Sequence, residues 1–338
     1  MVPGGPRAAD YRERPEADAS ADDAAEPGDG SDGVERRSHK VEARQHGLRL
    51  DKLLVALAPE FSRSHLQHLI EAGHVQVAGA LATLAARRMR VGEAVFLELV
   101  PTEESRAFRA EAMTLSVLFE DEHLLVLDKP AGLVVHPAPG NWSGTLLNGL
   151  LAHHASAATL PRAGIVHRLD KDTSGVMMVG KTLAAVTALV RDIGARSVQR
   201  RYLALAHGEL AGAQTLEWPI GRDPRSRVRM AVVASGRASR TDVRSVACKG
   251  GVSALQCTLH TGRTHQIRVH LAHAGHPLLA DAVYGGRPAL GLVRQALHAA
   301  RLELAHPLSR EALGFSCAPP ADFAAAWAEV AGATMPLD

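Results

Sequence analysis

The sequence predicts an α+β protein with two folded domains. A small helix-then-strand domain comes first. A larger one follows, with a mixed, largely antiparallel sheet flanked by helices. Three observations point there. Leu50, Leu53, Leu54 and Leu57 recur at helical spacing, and Val95, Leu97 and Leu99 then alternate as a strand. Further along, short apolar runs and helical stretches intermingle without a regular βαβ alternation. The 338 residues suit two domains of roughly 100–200 residues each.

Residues 1–45 are rich in Ala, Asp, Glu, Pro and Gly. Such a segment buries too little surface to offset ordering entropy, so a disordered acidic tail is expected. Residues 46–100 form the small domain. Pro59 ends its first helix, and a second starts at Ser62–Ser64, where Ser64 and Gln67 fit a capping box. Leu66, Leu69 and Ile70 supply the apolar stripe, and Gly73 is a C-terminal stop. Val75 and Val77 read as a short strand turned by Gly79.

Residues 101–112 are polar and read as a linker; residues 113–335 form the larger domain. Strands are expected at Leu124–Leu127, Val176–Val179, Tyr202–His207 and Ala254–Leu259. Helices are expected at Thr145–His154, Leu183–Asp192 and Thr264–Ala274. Within the last, Ile267–Leu271 also fits a short strand.

Composition narrows the function classes. No run approaches 18 apolar residues, so no membrane span is expected, and the N-terminus lacks the apolar core of a secretory signal. Cys248, Cys257 and Cys317 are too few and scattered for a disulfide framework or a zinc site, which suits a cytoplasmic protein. The net charge of +2 hides an asymmetry: residues 1–40 carry 10 acidic and 6 basic side chains, so the remainder carries 26 and 32. That excess is compatible with a nucleic-acid partner, and equally with an arginine-biased composition.

Three segments carry chemistry. In Gly164–Gly175, Asp170 and Asp172 sit among Arg168 and Lys171. A nearby cation favours the ionised form of a carboxylate, which can then act as nucleophile or base. Alone, the segment reads equally as a surface turn with self-compensating charge. In Thr261–His273, Arg263, His265, Gln266 and Arg268 can donate to phosphate, ribose or base edges. The histidines at 260, 265, 270, 273 and 276 lack an HExxH pattern or a Cys pair, so no metal site is expected. In Arg200–Leu205, Tyr202 is either a ring that stacks on a base, with a hydroxyl able to hydrogen-bond or exchange a proton, or a core-edge tyrosine.

Together these segments resemble one family. HRLDKDTSG, RRYLAL, HTGRTHQIRVHLAHAGHPLLADAVYGG and LDKPAGLVVHP occur in the order and form of the RluA/RluD family of RNA pseudouridine synthases. The segment RLDKLLVALAPEFSRSHLQHLIEAGHVQVAG resembles an S4 RNA-binding domain. The resemblance spans about residues 47–330 and is nearest the RluD type, whose members act on large-subunit ribosomal RNA.

The resemblance implies a pseudouridine synthase fold behind an S4-like αα-β domain, and a cofactor-free isomerisation of flipped uridines. It implies roles too: Asp170 as catalytic aspartate, Tyr202 against the target base, Arg268 paired with the carboxylate. Arg168 would stand beside the flipped nucleotide and Leu271 would form an apolar pocket wall. Arg263, His265 and Gln266 are expected to bind substrate, and Arg49, Lys52, Arg63 and His65 to contact RNA from the S4-like domain. The implied partner is 23S ribosomal RNA or the pre-50S particle, bound by a monomer. One departure stands out: Ala280 precedes Asp281 where relatives usually have Gly. A non-catalytic ribosome-assembly factor is the competing reading, although binding alone does not need Asp170, Tyr202 and Arg268.

Overall fold

The structure is a computed structural model that describes residues 35–100, 107–226, 229–333, 335 and 336. The chain divides into two compact units at Pro101/Thr102.

The first unit runs β1 (Glu35–Lys40), α1 (Leu50–Leu57), α2 (Arg63–Glu71), β2 (Val75–Val77), β3 (Ala80–Leu81) and β4 (Ala94–Leu99), in sheet order β1-β4-β2-β3. Leu50, Leu53 and Leu54 of α1 and Leu66, Leu69 and Ile70 of α2 pack with Val75, Val77, Val95 and Leu97 of the sheet. Two expectations change here. Order begins by Glu35, before residue 46: β1 pairs antiparallel with β4 along Glu35–Lys40, through backbone bonds and an Arg36–Glu98 ion pair at 3.1 Å, although ERRSHK carries no apolar side chain. Residues 1–34 of the expected tail lie outside the described residues. The cap of α2 is Ser62, whose hydroxyl accepts from His65 N–H at 3.2 Å, and not Ser64.

The second unit carries a nine-stranded sheet. Its strands are β5 (Ser116–Glu120), β6 (Leu124–Lys129), β7 (Ser174–Gly180), β8 (Gln199–His207), β9 (Ala213–Leu216), β12 (Thr241–Lys249), β13 (Val252–Leu259), β14 (Leu297–Ala305) and β15 (Ala312–Ser316). They run in order β5-β6-β7-β14-β8-β13-β12-β9, with β15 on β14. Every pairing is antiparallel except β7 with β14, where His298 faces Ser174 and Ala299 faces Gly175. β10 (Ile220–Arg222) and β11 (Met230–Val232) form a separate ribbon.

Strand alternation divides the apolar side chains between two layers. Leu125, Leu127, Met177, Val179, Tyr202, Ala204, Leu255 and Cys257 point to one face, under α3 (Leu146–His153) and Ile267 and Leu271 of α5 (Gln266–His273). Leu124, Val126, Val176 and Met178 point to the other, with Leu189 of α4 (Leu183–Gly194). Leu203, Leu205 and Ala254 also lie on that side, beneath Phe323, Ala326 and Trp327 of α6 (Ala321–Ala331). With both faces covered, β7 is buried at every residue, which accounts for its unbroken apolar run.

Further boundaries shift. Residues 107–112 join the second unit: Asn148 donates to the carbonyls of Ala107 and Arg109 and accepts, through its own carbonyl, from Glu111 N–H. Residues 101–106 of the expected linker lie outside the described residues. Ile267–Leu271 is helix, not strand, and α5 starts at Gln266 instead of Thr264 because His265 at its N-cap is left-handed (φ +57°).

Candidate active site

The HRLDKDTSG segment leads into β7, and main-chain hydrogen bonds hold it. Thr173 N–H donates to Asp170 C=O at 3.1 Å, closing a turn. Gly132 N–H and Lys129 Nζ both donate to Lys171 C=O, at 2.9 and 3.0 Å. Arg294 Nη1 donates to Asp172 C=O at 3.0 Å. His167 Nε2 accepts from Met178 N–H at 3.0 Å. Burial pulls the His167 pKa to about 3, so the ring stays neutral, as an acceptor must. Gly175 has no substitute: its φ is +118°, and a Cβ would lie 2.2 Å from Ala299 C=O on β14.

This scaffold presents Asp170 to a cleft of about 780 Å³, within the range of small-molecule pockets. Its lining includes Arg162, Arg168, Arg196, Arg200, Arg263 and Arg268, and Asp170 is its one carboxylate among the described residues. Asp172 is not part of the lining, which separates the two acids.

Arg268 binds Asp170. Its Nη1 stands 2.9 Å from Asp170 Oδ2, while Nε and Nη2 fork onto Asp281 at 2.7 and 2.8 Å. Burial opposes the Arg268 charge, but the two carboxylates outweigh it and hold the guanidinium firmly protonated. Tyr284 lies under that guanidinium, 5.0 Å from ring centre to Cζ. The Tyr284 hydroxyl accepts from Met230 N–H at 3.1 Å and is 2.8 Å from His265 Nδ1. His265 Nε2 faces Asp170 Oδ1 at 3.7 Å, and burial lowers the pKa of that ring. Tyr202 reaches the cleft from β8, and burial raises its pKa, keeping the phenol neutral.

The other expected residues divide. Arg168, Arg263, His265 and Gln266 line the cleft. Gln266 is spent on structure: its Oε1 accepts from the Thr261 hydroxyl and Arg263 N–H, and its Nε2 donates to Arg240 C=O and Thr241 Oγ1. Leu271 is fully buried in the core and is not a lining residue. In the first unit Lys52 is exposed. Arg49 and Arg63 are drawn to the buried Asp51, at 3.0 and 2.6 Å, and the His65 ring stacks on Phe61. The five recurring histidines do not converge, and no group of three or more His, Cys, Asp or Glu that could hold a metal ion occurs among the described residues.

Sequence reasoning missed Asp281, Tyr284, Arg200 and Lys129. The first two lie in the ADAVYGG turn, where a carboxylate beside an aromatic was visible but its partner was not. Burial of an arginine and a lysine leaves no trace in a linear pattern.

A family model described as RNA pseudouridylate synthase matches residues 123–273, and an S4 domain model matches residues 48–95. A ribosomal large subunit pseudouridine synthase D of Nitrosomonas europaea is 48% identical over 82% of this chain and 83% of its own. Proteins of the same description from Xanthomonas campestris and Neisseria meningitidis serogroup B are 45% and 46% identical. They cover 89% and 82% of this chain, and 93% and 77% of their own. The chain belongs to the RNA pseudouridylate synthase family. It is an RNA pseudouridine synthase with an S4 domain, and Asp170, Tyr202 and Arg268 all lie within the part matched to the synthase model.

Proposed function

We propose that this synthase isomerises particular uridines of 23S ribosomal RNA, as naked RNA or in the pre-50S particle, acting as a cytoplasmic monomer. The observation that carries the reading is Asp170: a single carboxylate in an arginine-lined cleft, clamped by Arg268, with Tyr202 facing the same space. The large-subunit substrate is taken from the descriptions of the relatives.

In pseudouridine formation the N1–C1′ bond breaks, the uracil turns, C5 bonds to C1′, C5 loses its proton and N1 gains one. The uridine leaves its stack to enter the cleft, at a cost of a few kcal/mol. Asp170 serves as nucleophile at C1′ or C6, or as base at C2′; Arg268 offsets its charge and fixes its direction. Tyr202 stacks on the base. Arg168 and Arg263 hold the distorted backbone. The atoms balance without a redox step, so no cofactor is invoked.

The test is tritium release from C5-labelled uridine in ribosomal RNA lacking pseudouridine, with the product mapped by carbodiimide primer extension. Release by wild type at discrete 23S positions, and none by Asp170→Ala or Asp170→Asn at near-unchanged RNA affinity, is the expected result. Substantial release by Asp170→Asn, with deamidation excluded, overturns the assignment of Asp170. Silence on naked RNA and on particles, with tight binding kept, favours the assembly-factor reading.

A further inference from the structure

Arg200 is a buried cation that lines the cleft. It shares a face of β8 with Tyr202, two residues on, and is 5% exposed. Its neighbour Arg201, on the opposite face, is paired with Glu303 at 3.3 Å. Arg200 has no carboxylate partner among the described residues. Its Nε is buried with no hydrogen-bond partner, and Nη2 reaches Leu259 C=O only at the limiting distance of 3.5 Å. A guanidinium carries five donors. Nε is one of them left buried and unsatisfied, a costly arrangement for a fold to hold.

The surroundings keep this cation in place. Burial lowers the Arg200 pKa below the ordinary arginine range, as expected where no anion compensates. A Cβ on Gly262 would come within 2.9 Å of an Arg200 Nη1, so the glycine of the TGRTHQIR segment leaves the guanidinium its space. Tyr202, Arg200 and Asp170 all line the same cleft. A base stacked on Tyr202 is therefore bordered by the Asp170 carboxylate and by this cation.

We infer that Arg200 is a further substrate-binding residue, whose unused donors receive an anionic oxygen of the target nucleotide. This rests on the synthase reading of the cleft. Two oxygens share that chemistry. A backbone phosphate is charged before reaction, so it contributes to binding. A uracil carbonyl gains charge only as the reaction proceeds, on addition at C6 or on cleavage of the N1–C1′ bond, so it contributes to the rate.

The test compares the full chain with Arg200→Met, Arg200→Gln and Arg200→Lys, using a ribosomal RNA transcript on which the wild type releases tritium. Failure of the wild type to release any would defeat the functional reading and not this one. Removing an unpaired buried charge should leave the thermal midpoint of the RNA-free protein unchanged or raised. A phosphate partner predicts a dissociation constant raised at least tenfold in Arg200→Met, and a slope of log affinity against log salt shallower by about 0.7. A uracil oxygen predicts affinity within twofold and a single-turnover rate at least tenfold lower. Arg200→Lys should recover part of either loss. Wild-type binding and rate in Arg200→Met would overturn the inference. So would a lowered midpoint in both Arg200→Met and Arg200→Gln, which would make Arg200 a structural residue.

Discussion

Lys129 Nζ donates at 3.0 Å to the carbonyl of Lys171, the residue that directly follows Asp170. The same ammonium donates to Pro130 C=O at 2.7 Å and Leu133 C=O at 2.9 Å, and the side chain is fully buried. Each of its three protons has an acceptor, so one lysine ties β6 and its following turn to the catalytic segment. Lys129→Met should cost about 1–3 kcal/mol, the penalty for buried acceptors left unsatisfied. Burial lowers the Lys129 pKa from 10.5 to about 8. Between those values the unfolded chain holds a proton that the folded chain has lost, so this group makes stability rise with pH. Denaturant midpoints at pH 7, 8.5 and 10 should show the advantage of wild type over Lys129→Met growing across the series.

Asp281 is expected to set the rate without touching substrate. It is buried and holds two nitrogens of Arg268, leaving Nη1 for Asp170. Asp281→Asn weakens that fork and should cost roughly 3–5 kcal/mol of stability, typical of breaking a buried pair. Single-turnover rate should fall at least tenfold while RNA affinity stays within twofold. A parallel loss of affinity would place Asp281 among the binding residues instead.

Asp51 makes the first unit sensitive to acid. Hydrogen bonds from Arg49, then Arg63 and Gln67, hold its carboxyl well below the usual range against the opposing effect of burial. The unfolded chain takes up a proton near the ordinary value of 3.8 while the folded chain resists. This contribution is therefore complete above that pH and is lost as pH falls below it. Asp51→Asn should remove the acid sensitivity and cost about 1–3 kcal/mol at neutral pH. Circular dichroism of both proteins from pH 7 to 2.5 checks the sign.

Ala280 adopts φ +57°, the conformation that suits glycine. A left-handed alanine costs roughly 1–2 kcal/mol, of which a glycine replacement returns roughly 0.4–1 kcal/mol as extra freedom in the unfolded chain. Ala280→Gly should therefore stabilise the protein by up to about 1 kcal/mol and leave turnover within twofold. A lower thermal midpoint would contradict the strain argument.

The parts legible in the sequence were those where one side-chain property maps onto one environment. Val176–Val179 reads as a buried strand because both faces of β7 are covered. Leu50, Leu53 and Leu54 read as a helix because one face is covered and the other wet. Ile267–Leu271 was ambiguous because its polar members are buried too. Arg268 is held by two aspartates, and His270 lies between Thr241 Oγ1 and Trp218 C=O. Alternation there reported neither period nor face. β1 gave no signal because backbone pairing needs no apolar side chain. The spacing of Phe323, Ala326, Trp327 and Val330 carries the helical period of α6, whose one covered face they form. Asp170, Tyr202 and Arg268 were reached through resemblance. Asp281 and Arg200 became apparent only from what surrounds them.

The insertion of β14 between β7 and β8 has a consequence for how the molecule comes into being. β7 and β8 are neighbours in the chain, yet their seats in the sheet stay separated for a strand that starts at Leu297. During synthesis, everything that holds Asp170 from the β14 side has still to be made when β8 is complete. Long-range pairing of this kind is slow, because loop closure must precede any gain from contact. The active site is thus a late event of folding: a ribosome making this synthase must release almost the whole chain before it gains one working catalytic centre.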